Sequence, residues 1–199
     1  MNQRTPNTTG NRFGKALRCA IVLLFAGLYM NATLALAQSP TWILIDTNTL
    51  TLTVHSSHNR LLASFHNVSI GSGGAATMRH VGDSTTPLGT FHVAWVNHRS
   101  PFGIFFGLDF PTASYGGRAY LLGLINKEDY DAILDASLSG NVPPQDTPLG
   151  GRIGIHGLGR GDPDVQRNIN WTDGCIALAN ADMNRLAKWI RLGTLVVIQ

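Results

Sequence analysis

Two residues of this chain could together perform nucleophilic chemistry, Cys175 in the stretch WTDGCIALAN and His156 in GRIGIHG. Acyl transfer needs an activated nucleophile, a base in reach, a group that orients the base, and donors for the developing oxyanion. Cys175 and His156 fit the first two parts, and backbone N–H groups around Gly174 and Cys175 fit the last. For the orienting group the sequence offers Thr172, Asp173 or a backbone carbonyl, and it does not choose among them. The other six histidines stand at ordinary strand or loop positions.

The elements around these residues must present them. In GRIGIHG, Ile153 and Ile155 alternate with Arg152, Gly154 and His156, so a strand with the isoleucines in the core turns the other three toward a site. Arg152 and Gly154, on the histidine's face, are therefore expected substrate contacts, and Gly157 next to the histidine is another. Thr172 is placed to cap a short helix starting near Cys175, and a helix N-terminus there favours thiolate over thiol. A second helix is expected from Asn180 as N-cap, with Met183, Leu186, Ala187 and Ile190 inward, Lys188 and Arg191 in its last turn and Gly193 after it. TLVVI then reads as a closing strand.

Upstream, WILID and TLTLTVH flank a polar turn, and a third apolar run from Leu61 to Ile70 completes an antiparallel meander. Phe91, Val93 and Trp95 are expected on one face of the strand after TPLG. That tetrapeptide recurs at Thr147–Gly150, as reused turn chemistry and not as an internal repeat. One helical insertion, over 126–140, is expected with Asn126 as its cap. The fold class is mainly β with a few short helices, including one after the cysteine.

The N-terminus carries Arg4, Arg12, Lys15 and Arg18, then an apolar run from Ala20 to Met30, then small Ala35 and Ala37. Residues 1–37 read as a secretory signal peptide, since that run is shorter than the ~20 residues a membrane span needs. Cys19 leaves with it. The remaining 38–199 form one domain in which Cys175 is the only cysteine, unpaired in an oxidising compartment. Removing four basic residues leaves 11 basic against 12 acidic and takes the net charge from +3 to −1, so no nucleic-acid partner is implied. No membrane span is expected after cleavage, and the product belongs in the periplasm or cell envelope.

IHG, then TDGCIAL, an asparagine-led helix and GTLVVI resemble the catalytic end of the L,D-transpeptidase (YkuD-type) family. ILIDTNTLTLTVH, VSIG and TPLGTFHV extend the likeness over about Trp42 to Ile198. The resemblance implies a β-sandwich fold, Cys175 as nucleophile, His156 as base, peptidoglycan stem peptides as substrate, and no cofactor. It also implies a thioester on Cys175 resolved by an amine acceptor. Two positions depart from the family pattern: Asp173 replaces a common histidine, and Ala177 a common arginine or asparagine.

Other readings differ in chemistry. Water as acceptor would make a murein endopeptidase or carboxypeptidase, and an envelope protein is a further possible acceptor. A wall-binding module without catalysis and a purely structural Cys175 are the non-enzymatic alternatives. His156, Asp162, Asp164 and Cys175 match no zinc spacing, so no metal is expected.

Overall fold

A computed structural model describes residues 1–2 and 40–199, so the expected leader over 1–37 lies, apart from its first two residues, outside the described part. Strands β1 (Thr41–Asp46), β2 (Thr51–Ser56) and β3 (Leu61–Phe65) form the antiparallel meander. The Asp46 carboxylate accepts from the backbone N–H of Asn48 and Thr49 and closes the first turn. Ile43, Ile45, Leu52 and Val54 are fully buried on one face, at about 1.5–3 kcal/mol of burial free energy each.

The closing strand β10 (Leu195–Ile198) inserts parallel to β1 and antiparallel to the 12-residue β6 (Gly89–Ser100). The sheet continues through β7 (Gly103–Leu108), β8 (Gly154–Gly157) and β9 (Ile176–Leu178) in the order β3-β2-β1-β10-β6-β7-β8-β9. Strands from both halves contribute to a single hydrophobic cluster, from Ile43 and Val196 to Phe106, Ile155 and Ile176. Long β6 thus carries one sheet around a common core. A small ribbon, β4 (Ala75–Ala76) paired with β5 (Thr86–Pro87), lies outside this sheet.

The expected face of β6 is corrected by a register shift between Val93 and Trp95. Phe91 and Val93 point into the core, but the extra residue Ala94 sends Trp95 to the opposite face and lets Val96 pack inward. A bulge inverts the alternation in this way. Trp95 lies flat over Gly107, where a Cβ would fall 2.0 Å from the indole.

Four helices complete the described fold. α1 (Ala113–Leu121), capped by Thr112, was not foreseen. α2 (Lys127–Leu138) is the expected insertion, with Asn126 Oδ1 accepting from Asp129 N at 2.8 Å. α3 (Pro163–Asn168) lies between histidine and cysteine, where no helix was expected. Its signals were legible: Asp162 caps it and Pro163 starts it. α4 (Asn180–Leu186) is shorter than expected, and Asn180 is its first residue and not its cap. No helix among the described residues is long and apolar enough to cross a membrane.

Candidate active site

The register of β7, β8 and β9 builds the site. Phe106, Ile155 and Ile176 align across the three strands on the core face, while Phe105, His156 and Ala177 align on the other. Gly107 and Gly154 form the next rung, and Cys175 stands immediately before Ile176, beside Gly154. His156 pairs with Ala177, so Cys175 stands two residues back along the neighbouring parallel chain, beside Gly154.

Gly154 is required by this crowding, because a Cβ there would lie 2.5 Å from the Phe105 ring and from the Phe106 carbonyl oxygen. A Cβ on Gly157 would meet Asn180 Oδ1 at 2.7 Å. Asn180 is held there by two bonds to Gly159, accepting from its N–H at 2.9 Å and donating to its carbonyl at 2.7 Å. That clamp, instead of a helix cap, is the work of Asn180.

His156 is only 2% exposed, so the outward-facing histidine expected from the alternation is in fact covered. Phe102 packs at 4.5 Å between ring centroids, Phe105 at 5.7 Å and Trp171 at 5.8 Å. Desolvation among these rings lowers the imidazole pKa below 6.5, against the opposing Gly157 hydrogen bond. His156 Nδ1 lies 2.7 Å from the Gly157 carbonyl, which can only accept. The proton of the neutral ring therefore sits on Nδ1, and Nε2 is left as the basic nitrogen.

Among the three orienting groups the sequence offered, the backbone carbonyl is the one in contact. Asp173 instead accepts from Ser84 Oγ at 3.1 Å, and its carbonyl accepts from Arg79 Nη2 at 3.3 Å. Thr172 Oγ1 donates to the Cys175 carbonyl at 2.7 Å and accepts from Gly174 N at 3.2 Å.

Cys175 corrects a second expectation. It precedes strand β9 and no helix begins at it, so no helix dipole draws off its proton. The half-buried thiol donates to the Arg152 carbonyl at 3.3 Å. Burial outweighs the opposing Gly154 backbone and Arg79 charge and pushes its pKa up to about 11. These shifts favour the thiol over the thiolate and the neutral imidazole over the imidazolium at neutral pH.

Arg152 sits in a left-handed conformation, φ 56°, just before β8, with its N–H donating to Gln145 Oε1 at 2.6 Å. Its backbone, more than its exposed side chain, meets the site. Along β8 the same face runs Gly154, His156, Leu158. Past the imidazole, Phe102, Leu158, Val165 and Trp171, with Arg160 and Asp162, line a cavity of about 300 Å³. A separate cavity of about 310 Å³ between His92, Asp109 and Asn141 includes neither Cys175 nor His156. No cluster of three potential metal ligands occurs among the described residues.

The residues that sequence reasoning missed are the cover, Phe102, Phe105 and Trp171, and two that hold the nucleophile turn, Arg79 and Thr86. Trp171 stood beside the quoted motif. The others are 70 to 96 residues from Cys175 in the chain, and only the strand register brings them in.

A thiol and an imidazole oriented through its Nδ1 stand on neighbouring strands of a mainly β fold. The family model for the L,D-transpeptidase catalytic domain matches residues 40–198, and the chain belongs to that family. No curated protein sequence matches the chain. Among solved structures, the helical cell shape determining protein Pgp2 of Campylobacter jejuni is 17% identical, with TM-score 0.54 over 82% of this chain and 48% of its own. Bd1075 of Bdellovibrio bacteriovorus is 17% identical, with TM-score 0.50 and the same coverages. An L,D-transpeptidase of Mycobacterium smegmatis is 14% identical, with TM-score 0.43 over 81% of this chain and 59% of its own. The first two likenesses show the fold. The chain spans about half the length of the first two.

Proposed function

We propose that the protein is an exported cysteine acyl-transferase acting on peptidoglycan stem peptides, with Cys175 as nucleophile and His156 as base. The observation that carries this reading is the His156 ring, locked by Gly157 with Nδ1 occupied and set on the same sheet face as the only cysteine of the domain. Family membership supports the substrate class. The leader over 1–37 delivers the domain to the periplasm or cell envelope.

Because the resting pair is neutral, the thiol proton moves to His156 Nε2 as sulfur attacks the carbonyl of the third stem residue. The tetrahedral intermediate collapses, the C–N bond to the terminal D-alanine breaks, and its amine leaves with that proton. A thioester on Cys175 remains. An amine from a neighbouring strand gives a proton to Nε2 as it attacks, and the sulfur recovers the proton on release. Arg152, Gly154 and Gly157 border this path, with Thr172, Asp173 and Gly174 forming the turn that carries the sulfur.

The experiment is digestion of sacculi by the purified mature protein, with muropeptides resolved by mass and meropenem-treated protein weighed intact. New cross-linked dimers and a meropenem adduct absent from Cys175→Ser are expected. Trimmed monomers or released protein would reassign the acceptor to water or to an envelope protein. No turnover and no adduct, with retained binding to sacculi, would replace the enzyme by a binding module.

A further inference from the structure

The turn that carries the nucleophile has three successive carbonyls held by side chains. Arg79 Nη2 donates to Asp173 O at 3.3 Å, Thr86 Oγ1 to Gly174 O at 3.0 Å, and Thr172 Oγ1 to Cys175 O at 2.7 Å. The middle contact bears on catalysis most directly. A trans peptide points its C=O and N–H in opposite directions, so pinning the Gly174 carbonyl aims the N–H of Cys175 the other way.

Thr86 is suited to that task. It is fully buried, and its hydroxyl accepts from Gly71 N at 2.8 Å, which directs its own proton toward Gly174 O. Its backbone N–H is tied to Gly74 O at 2.8 Å in the β4–β5 ribbon, so the hydroxyl has little freedom to move. Gly71 has no room for a side chain, since a Cβ would lie 2.1 Å from the Ser84 carbonyl oxygen. Gly174 is equally confined, at φ +118° with its Cβ position 2.5 Å from the Thr85 carbonyl oxygen.

The neighbouring N–H groups differ. Gly174 N–H is spent on Thr172 Oγ1. The Cys175 N–H takes no part in the turn and loop hydrogen bonds that hold this segment among the described residues. A donor at the sulfur-bearing residue whose direction is set from behind is what a developing oxyanion requires.

We propose that Thr86 is a positioning residue for acyl transfer: through the chain Gly71 N–H, Thr86 Oγ1, Gly174 C=O it directs the Cys175 N–H at the oxyanion of the tetrahedral intermediate. This rests on the acyl-transfer reading above. Thr86 touches no reacting atom, and its effect is carried by one peptide plane.

The test compares two reactions of the same sulfur in the full mature chain. Acylation by meropenem and by a tetrapeptide stem fragment develops an oxyanion, whereas alkylation by iodoacetamide at pH 9 does not. Thr86→Val is expected to lose about 10²–10³-fold in acylation rate and kcat, with KM and alkylation within threefold of wild type. Thr86→Ser, which keeps the hydroxyl, is expected within threefold throughout. Thr86→Ala carries the test if the valine variant does not fold, with at least a 30-fold acylation loss expected.

Acylation by a folded valine or alanine variant at the wild-type rate overturns the proposal. So does an equal loss in acylation and alkylation, which would make Thr86 a structural support for the sulfur alone. Wild type that alkylates but accepts neither acyl donor would sink the functional reading itself and this inference with it.

Discussion

In the first Thr-Pro-Leu-Gly segment, Thr86–Gly89, the threonine hydroxyl takes one hydrogen bond from Gly71 and gives another to Gly174 beside the nucleophile. In the second, Thr147–Gly150, the threonine is almost as deeply buried, at 4% exposure, yet its hydroxyl has no partner. Both segments use glycine at positive φ, 147° at Gly89 and 76° at Gly150. Both bring a leucine to the core, and Leu149 is wholly buried. The second closes on itself, Gly150 N donating to Thr147 O at 2.8 Å, and joins the Arg79 region through Val81 N to Pro148 O. Identical residues thus give one backbone anchor and one side-chain anchor. A hydroxyl acquires a role from what the fold sets against it, because four residues of turn chemistry dictate only local backbone shape.

The widest gap between the two copies is expected in turnover. Thr86→Val should lose two to three orders of magnitude in acylation, as argued above, while Thr147→Val should stay within twofold of wild type. Replacing a buried, unpaired hydroxyl by a methyl is neutral to stabilising, so thermal melts should place Thr147→Val at or above wild type. A Thr147→Val variant as inactive as Thr86→Val would erase the distinction.

Glycine exchanges near each copy come next. Gly174→Ala, pressed against the Thr85 carbonyl, should displace the sulfur turn and lower kcat about 10²-fold. Gly150→Ala puts a Cβ 3.4 Å from Arg79 Nη1 in a left-handed conformation. It should cost about 1–2 kcal/mol of stability, read by denaturant titration, with kcat unchanged within threefold.

Arg79 links both neighbourhoods. It is 5% exposed, ion-pairs with Asp83 at 3.6 Å and lies over the Phe110 ring at 5.7 Å. Its Nε and Nη1 have no hydrogen-bond partner. Arg79→Met removes a buried cation and the donor to Asp173 O. A destabilisation of about 3 kcal/mol is expected, with a kcat loss smaller than that of Thr86→Val. A larger kcat loss than the valine variant shows would move the positioning role from Thr86 to Arg79.

Changes of pH, without any substitution, test the charge state of the pair. With the thiol at about 11, the iodoacetamide rate of wild type should rise about tenfold per unit from pH 7 to 10. A plateau near pH 7 would mean a resting ion pair instead. The imidazole titrates below 6.5 in the folded protein, so kcat/KM should fall only on the acid side of that value. Below pH 6.5 the unfolded chain binds a proton that His156 does not, so stability also declines as pH falls, through the window between the folded and unfolded values.

Much of this architecture was readable from one-dimensional pattern. Alternation at Leu52, Val54, Ile153 and Ile155 announced half-buried strands, and Asn126 announced the start of α2, since both signals are local. Trp95 was misassigned because one inserted residue, Ala94, reverses strand parity without altering the apolar count. The helix expected at Cys175 failed for a related reason. Thr172 bonds the Cys175 carbonyl, and β8 captures the following residues as a strand, so pairing overrode the capping signal.

Residue type and order alone singled out the proposed nucleophile and base, the cysteine at 175 and one glycine-flanked histidine, together with a mainly β chain to hold them. Tertiary structure alone decided the ionisation state of that pair, the carbonyl that orients the ring and the hydroxyl behind the nucleophile turn. The imidazole's charge state depends on burial under Phe102, Phe105 and Trp171, and the thiol's on its own burial, while orientation depends on Gly157 and Thr86. Those terms arise between groups far apart in the chain, where distance in space and not spacing in sequence sets the energy.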